Sequence, residues 1–188
     1  DGRPSVSTIE VSEIKSSSAV AVGEILGNGD DPITKYGHCW STSPSPSVNS
    51  QKTENLGGSS GLTFFSDLTN LSPLTDYYVR SYAENNLGIA YGNEISFSTV
   101  DGLASLTTGS YDLSGSQVNL YAEILETGDG ITEHGHYWST TQGVSTINYD
   151  DKSELGSQNN IGVFTTSSIS LNPNTTYYYR AYAVTSAG

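Results

Sequence analysis

The chain reads as all-β, two tandem β-sandwiches of about a hundred residues each. Three observations predict this. The composition leans to Ser, Thr, Gly, Asn and Tyr and holds no Met, which favours short strands joined by turns over helices. Apolar residues alternate or run briefly between Gly, Asp, Asn and Pro breaks, as strands do. The sequence also repeats itself: "YGHCWST" (36–42) returns as "HGHYWST" (134–140), and "LSPLTDYYVRSYAENNLG" (71–88) returns as "LNPNTTYYYRAYAVTSAG" (171–188).

The elements follow in order. "SAVAVGEIL" (18–26) and "QVNLYAEIL" (117–125) read as matching strands, and each runs into turn chemistry, "GNGDDP" (27–32) and "ETGDG" (126–130). "ITKYGHCWST" (33–42), "LTFFSDL" (62–68) and "AYGNEISFST" (90–99) add strands, giving the first repeat about seven, the spacing of a β-sandwich. Length changes between the copies fall in Gly- and Ser-rich loops. The boundary lies at "TVDGL" (99–103), dividing the chain into repeat one, 1–100, and repeat two, 101–188.

Charge and composition exclude several partner classes. Twenty acidic against seven basic residues give a net charge of −13, a field that repels nucleic acid and anionic lipid. No apolar run approaches the ~20 residues of a membrane-spanning helix. Cys39 is the single cysteine, so no internal disulfide forms. The chain starts at Asp1 rather than Met and shows no signal peptide, which reads as a processed or excised piece of something larger.

The heptads "YYVRSYA" (77–83) and "YYYRAYA" (177–183) hold seven of the thirteen tyrosines and two of the three arginines. On a strand, Tyr77, Val79, Ser81 and Ala83 share one face, and Tyr78, Arg80, Tyr82 and Glu84 share the other. The second face predicts Arg80 lying between two rings, a cation–π arrangement worth roughly 0.5–1 kcal/mol at an exposed site. As a binding face, Tyr78, Arg80, Tyr82, Tyr178, Arg180 and Tyr182 would offer aromatic rings to glycans or to a protein surface. Repetition favours architecture instead, because a catalytic site normally breaks internal symmetry.

Leu71-x-Pro73-x-Thr75-x-Tyr77 and its copy Leu171-x-Pro173-x-Thr175-x-Tyr177, each followed by an alternating aromatic strand, resemble the E–F connection and strand F of fibronectin type III domains. With "YGHCWST" and "GIAYGNEISFST", nearly the whole chain resembles the fibronectin type III-like repeats of large secreted and surface proteins of Gram-negative bacteria. The resemblance implies that Tyr77 and Tyr177 are inward tyrosine corners, each hydroxyl bonding backbone near the preceding turn. Trp40 and Trp138 depart from the family pattern by falling on strand C rather than B, and the sequence leaves their facing open.

Other chemistry is sparse. His134 and His136, at i and i+2, would share a face, but zinc needs about four ligands and none follows nearby. Linker Asp101 with Glu126 and Asp129 offers oxygen ligands for a calcium clamp between repeats; the alternative is two turns with solvated carboxylates. Beyond calcium no cofactor is implied. Serines abound without a G-x-S-x-G elbow, and Cys39 aligns with Tyr137, so no nucleophile recurs. Asn70 and Asn174 head sequons at the E–F connection and read as turn residues.

Gly88 is followed by residues 89–99, which read as strand G, whereas its counterpart Gly188 is the last residue. Repeat two is therefore expected to lack its closing strand, supplied either by further chain or by a neighbouring subunit. These readings predict a non-catalytic spacer, stalk or filament segment at the cell surface or outside the cell. Its partners would be neighbouring repeats or subunits of the same protein. The competing class is a carbohydrate- or protein-binding module.

Overall fold

The computed structural model describes residues 2–115 and 117–188. The chain divides into two compact units, Asp1–Asp101 and Gly102–Gly188. Among the described residues none is helical, and each unit is a sandwich of antiparallel β-sheets.

In the first unit the strands are β1 (Ser5–Ser12), β2 (Ser18–Gly27), β3 (Lys35–Ser41), β4 (Gln51–Lys52), β5 (Asn55–Leu56), β6 (Thr63–Thr69), β7 (Asp76–Asn85), β8 (Gly88–Tyr91) and β9 (Ile95–Ser98). One sheet runs β1-β2-β6. The other runs β4-β3-β7-β8, with β5 also on β3 and β9 also on β7. All neighbours are antiparallel, and the pleat sends successive side chains to opposite faces, most plainly on β6. On β6 the buried set is Phe64, Ser66 and Leu68; on β7 it includes Tyr77, Val79, Ser81 and Ala83, the face the alternation predicts.

The core forms two clusters along the sandwich. One gathers Ala21, Trp40, Leu68, Tyr77, Val79 and Phe97; the other gathers Val6, Ile25, Ile33, Phe64 and Ala83. Trp40 thus faces inward on β3, which the sequence left open. Gly37 is fixed by a close approach rather than by its dihedrals. A Cβ there would meet the Thr53 carbonyl at 2.3 Å, and one on Gly135 would meet the Ser153 carbonyl at 2.2 Å. The chain after β3 therefore lies against the outer side of that strand.

The final strand differs from the sequence expectation of one continuous run. It breaks into β8 and β9 around Asn93, whose side-chain oxygen accepts from the Thr8 N–H at 3.1 Å while its carbonyl accepts from the Thr8 hydroxyl at 2.6 Å. A register shift between Thr8 and Glu10 bends β1 at the same place.

In the second unit the strands are β10 (Ser105–Ser114), β11 (Gln117–Glu126), β12 (Ile131–Ser139), β13 (Asp151–Lys152), β14 (Gly162–Ser170) and β15 (Tyr178–Thr185). The sheets run β10-β11-β14 and β13-β12-β15. The topology repeats that of the first unit, except that among the described residues β5 has no counterpart strand and β15 pairs with β12 alone. The second sandwich lacks its last strand in this chain.

Candidate functional site

The two aromatic strands, β7 and β15, carry the residues the sequence singles out. Tyr77 is buried, stacks on Phe97 with ring centroids 5.8 Å apart, and its hydroxyl accepts from the Ser72 N–H at 3.0 Å. Tyr177 repeats the bond to the Asn172 N–H at a longer 3.4 Å and is only partly buried. Asn70 and Asn174 both take left-handed backbone angles, φ 58° and 54°, in the turns leading to these strands.

The opposite face is not the open ladder of rings expected. Tyr82 is 1% exposed and Tyr182 is 6% exposed, so neither belongs to a surface platform. The segment crossing Gly37 and Gly135 covers them: the Tyr82 hydroxyl donates to the Thr53 carbonyl, and the Tyr182 hydroxyl to the Ser153 carbonyl, both at 2.8 Å. Tyr137 stacks on Tyr182 at 4.1 Å between centroids. Tyr78 is half-buried, while Tyr178 and Arg180 are exposed.

Arg80 is placed differently from the expectation as well. It does not sit between Tyr78 and Tyr82. Its guanidinium carbon lies 4.7 Å from the centroid of Tyr91 on β8, and its Nε donates to the Gly92 carbonyl at 3.1 Å. A strand spaces neighbours on one face about 7 Å apart, too far for one guanidinium to cover both rings, whereas Tyr91 stands on the adjacent strand. Tyr91 was missed in the sequence. The signal for it was an aromatic residue at the start of the final strand, where β8 folds back on β7.

Ion pairs rim the covered tyrosines with reversed signs. In the first unit Glu54 takes Lys35 at 3.0 Å and Lys52 at 3.1 Å; in the second Lys152 takes Glu133 at 3.2 Å and Glu154 at 2.6 Å. A Glu133 carboxylate oxygen shares the single Tyr182 hydroxyl proton with the Ser153 carbonyl.

A buried polar cluster recurs in each unit. His38 Nδ1 lies 2.8 Å from Ser66 Oγ, which lies 2.8 Å from Thr53 Oγ1. His136 Nδ1 lies 2.9 Å from Thr166 Oγ1, which lies 2.7 Å from Ser153 Oγ. Burial holds His38 down at about 4, and depresses His136 in the same direction. The two histidines are fully buried, so the cluster has no access for a substrate. Burial also pushes the Cys39 thiol up to about 11, which leaves a poor nucleophile.

His134 and His136 do share a face, both against Phe164, but His134 Nδ1 is engaged by the Gly156 carbonyl at 2.8 Å. Among the described residues no group of three or more His, Cys, Asp or Glu could hold a metal ion. Asp101 closes the first unit, whereas Glu126 and Asp129 belong to the second. Asp129 serves in a backbone latch: its N–H donates to the Gly102 carbonyl at 2.9 Å, as the Asp30 N–H does to the Gly2 carbonyl at 3.0 Å.

The second unit also carries a cavity of about 290 Å³, lined by Tyr111, Leu120, Trp138, Ile169, Tyr177 and Tyr179 among others. Tyr179 of β15 contributes to one wall.

No family model matches the sequence, and no curated protein matches it. Among solved structures, the crystal structure of chicken CNTN1 FN1-FN3 domains is similar over 100% of this chain and 62% of that one. The identity is 16% and the TM-score 0.35. The chain thus spans less than two thirds of that structure's length.

Proposed function

We propose that the chain is a non-catalytic structural or adhesive segment, a spacer, stalk or filament building block of a secreted or surface-displayed bacterial protein. One observation carries the reading. Trp40 and Trp138, His38 and His136, Tyr77 and Tyr177, and Tyr82 and Tyr182 recur at equivalent positions and are spent on the interior or on bonds to backbone. A catalytic centre needs accessible groups, and the recurring polar clusters are closed. The bacterial, extracellular setting rests on the sequence resemblance and on the acidic surface.

The second reading is a binding module for glycans or surface proteins, favoured by one observation: Tyr178, 38% exposed, and Arg180 stand together on β15. A glycan array with the intact chain, and with Tyr78→Ala and Tyr178→Ala, separates the two. The spacer reading expects no binding. Retention that falls more than tenfold in the Tyr178→Ala variant would instead establish the binding module.

A further inference from the structure

The two units share their topology but not the state of their last edge, and the first unit shows what the second is shaped to receive. In the first unit Phe97 and Ile95 pack into the cluster of Trp40, Leu71, Tyr77 and Val79. The matching cluster of the second unit, Val118, Leu120, Trp138 and Ile169 with Leu171, Tyr177 and Tyr179, has no residue in those two places. The 290 Å³ cavity opens there.

Several neighbours register the difference. Tyr77 is 6% exposed and Val79 0%, while Tyr177 and Tyr179 are partly exposed. Val11 packs on the core, but Tyr111, its counterpart on β10, is 55% exposed, and Leu113 beside it 67%. Strand β7 starts at Asp76, and Asp76 to Val79 pair with β9; β15 starts two positions later, at Tyr178.

The polar groups along this edge are also set for a partner. Thr108 Oγ1 accepts from the Ala181 N–H at 3.0 Å, as Thr8 Oγ1 accepts from Ser81 at 2.8 Å. In the first unit Thr75 then exchanges backbone and side-chain bonds with Thr99, at 3.0 and 2.9 Å, and Ser81 accepts from Gly92 at 2.9 Å. The direction of entry is set too. Thr185 and Gly188 exchange backbone bonds of 2.9 and 3.2 Å, so the chain direction reverses at this turn and Gly188 stands beside the end of β15. Gly188, at φ +143°, repeats the turn geometry of Gly88 at φ +137°.

We propose that the free edge of β15 and the cavity beside it form a strand-acceptor seat. It is filled in line from the Gly188 turn by an extended segment with the chemistry of residues 89–99. That chemistry is an aliphatic residue, a phenylalanine and a threonine at alternate positions, the pattern of Ile95, Phe97 and Thr99. Main-chain bonds give the segment its hold, and the aromatic side chain filling the cavity gives selectivity. A second copy of the chain is the poorer donor, because its own residues 95–98 are paired with β7.

The test appends "IAYGNEISFST" after Gly188 in the full chain and follows amide hydrogen exchange at Tyr177, Tyr179 and Ala183, whose N–H groups alternate with those bound to β12. We expect protection at all three to rise at least tenfold, and the second unit to melt about 5 °C or more higher. The same extension with Ser in place of its phenylalanine should lose most of both gains. The unmodified chain mixed with the free 11-residue peptide at millimolar concentration should show weaker, saturable protection at the same amides. No change in exchange on extension overturns the seat. Protection by the free peptide but not by the extension overturns the in-line source, as does concentration-dependent self-association of the unmodified chain that protects these amides.

Discussion

Arg80 stacks its guanidinium on the ring of Tyr91, 4.7 Å from the centroid, across the β7–β8 pairing. The contact crosses strands and anchors the first part of the final strand to the aromatic one. A double-mutant cycle with Arg80→Met and Tyr91→Leu should give a coupling energy of about 0.5–1 kcal/mol in urea unfolding. The same cycle between Arg80 and Tyr78 should give a coupling near zero. Equal couplings would restore the ladder along one strand face that the sequence suggested.

The two tyrosine corners should differ. Tyr77→Phe removes a 3.0 Å bond from a buried hydroxyl and strands the Ser72 N–H, a loss of about 1 kcal/mol. Tyr177→Phe removes a 3.4 Å bond in a more exposed setting and should cost less than half as much. Denaturant midpoints of the two variants, each read on its own unit, check the ranking.

Stability should fall with acid before the carboxylates titrate. His38 is held at about 4 against an ordinary 6.5, chiefly by burial, with the Val22 carbonyl opposing. The unfolded chain therefore takes the proton first, so the contribution is complete above pH 6.5 and is lost as pH falls toward 4. By pH 5 His38 alone removes about 2 kcal/mol, and His136 acts in the same direction. Urea unfolding between pH 7 and pH 5 measures it; a flat profile would contradict the buried, neutral imidazole.

The polar clusters carry a compensated exchange. Thr53 with Ser66 in one unit becomes Ser153 with Thr166 in the other, one methyl having changed sides around the same histidine bonds. Thr53→Ser and Ser66→Thr should each destabilise the first unit by about 1 kcal/mol, through a small void and through overpacking. Together they should recover at least half of the summed loss, a non-additivity read directly by thermal or urea unfolding.

The parts legible in the sequence were those with short-range signatures. The inward set Tyr77, Val79, Ser81 and Ala83 follows from a period of two, and the topology of the second unit follows from the offsets of the repeat. What hid was set by contacts distant in sequence. Tyr82 is buried because residues near Thr53, some thirty positions away, lie over Gly37, a glycine whose need shows only as a clash. Arg80 finds Tyr91 because β8 folds back beside β7. Trp40 faces inward because β3 places Tyr36, His38 and Trp40 on one side, a register that its own glycine-interrupted pattern does not fix. The latch from the Asp129 N–H to the Gly102 carbonyl was not legible, because a bond made by backbone leaves no side-chain signature.

One architecture is built twice, with its last edge paired in the first unit and open in the second. Amide hydrogen exchange at Ala83 and Ala183 in the unmodified, dilute chain tests it most directly. The two alanines are equivalent, but Ala83 pairs with Ala90 whereas Ala183 pairs only with His134 on its other side. Ala83 should exchange only on near-global opening of its unit, and Ala183 at least a hundredfold faster than opening of its own unit allows. Equal protection at the two positions would contradict it.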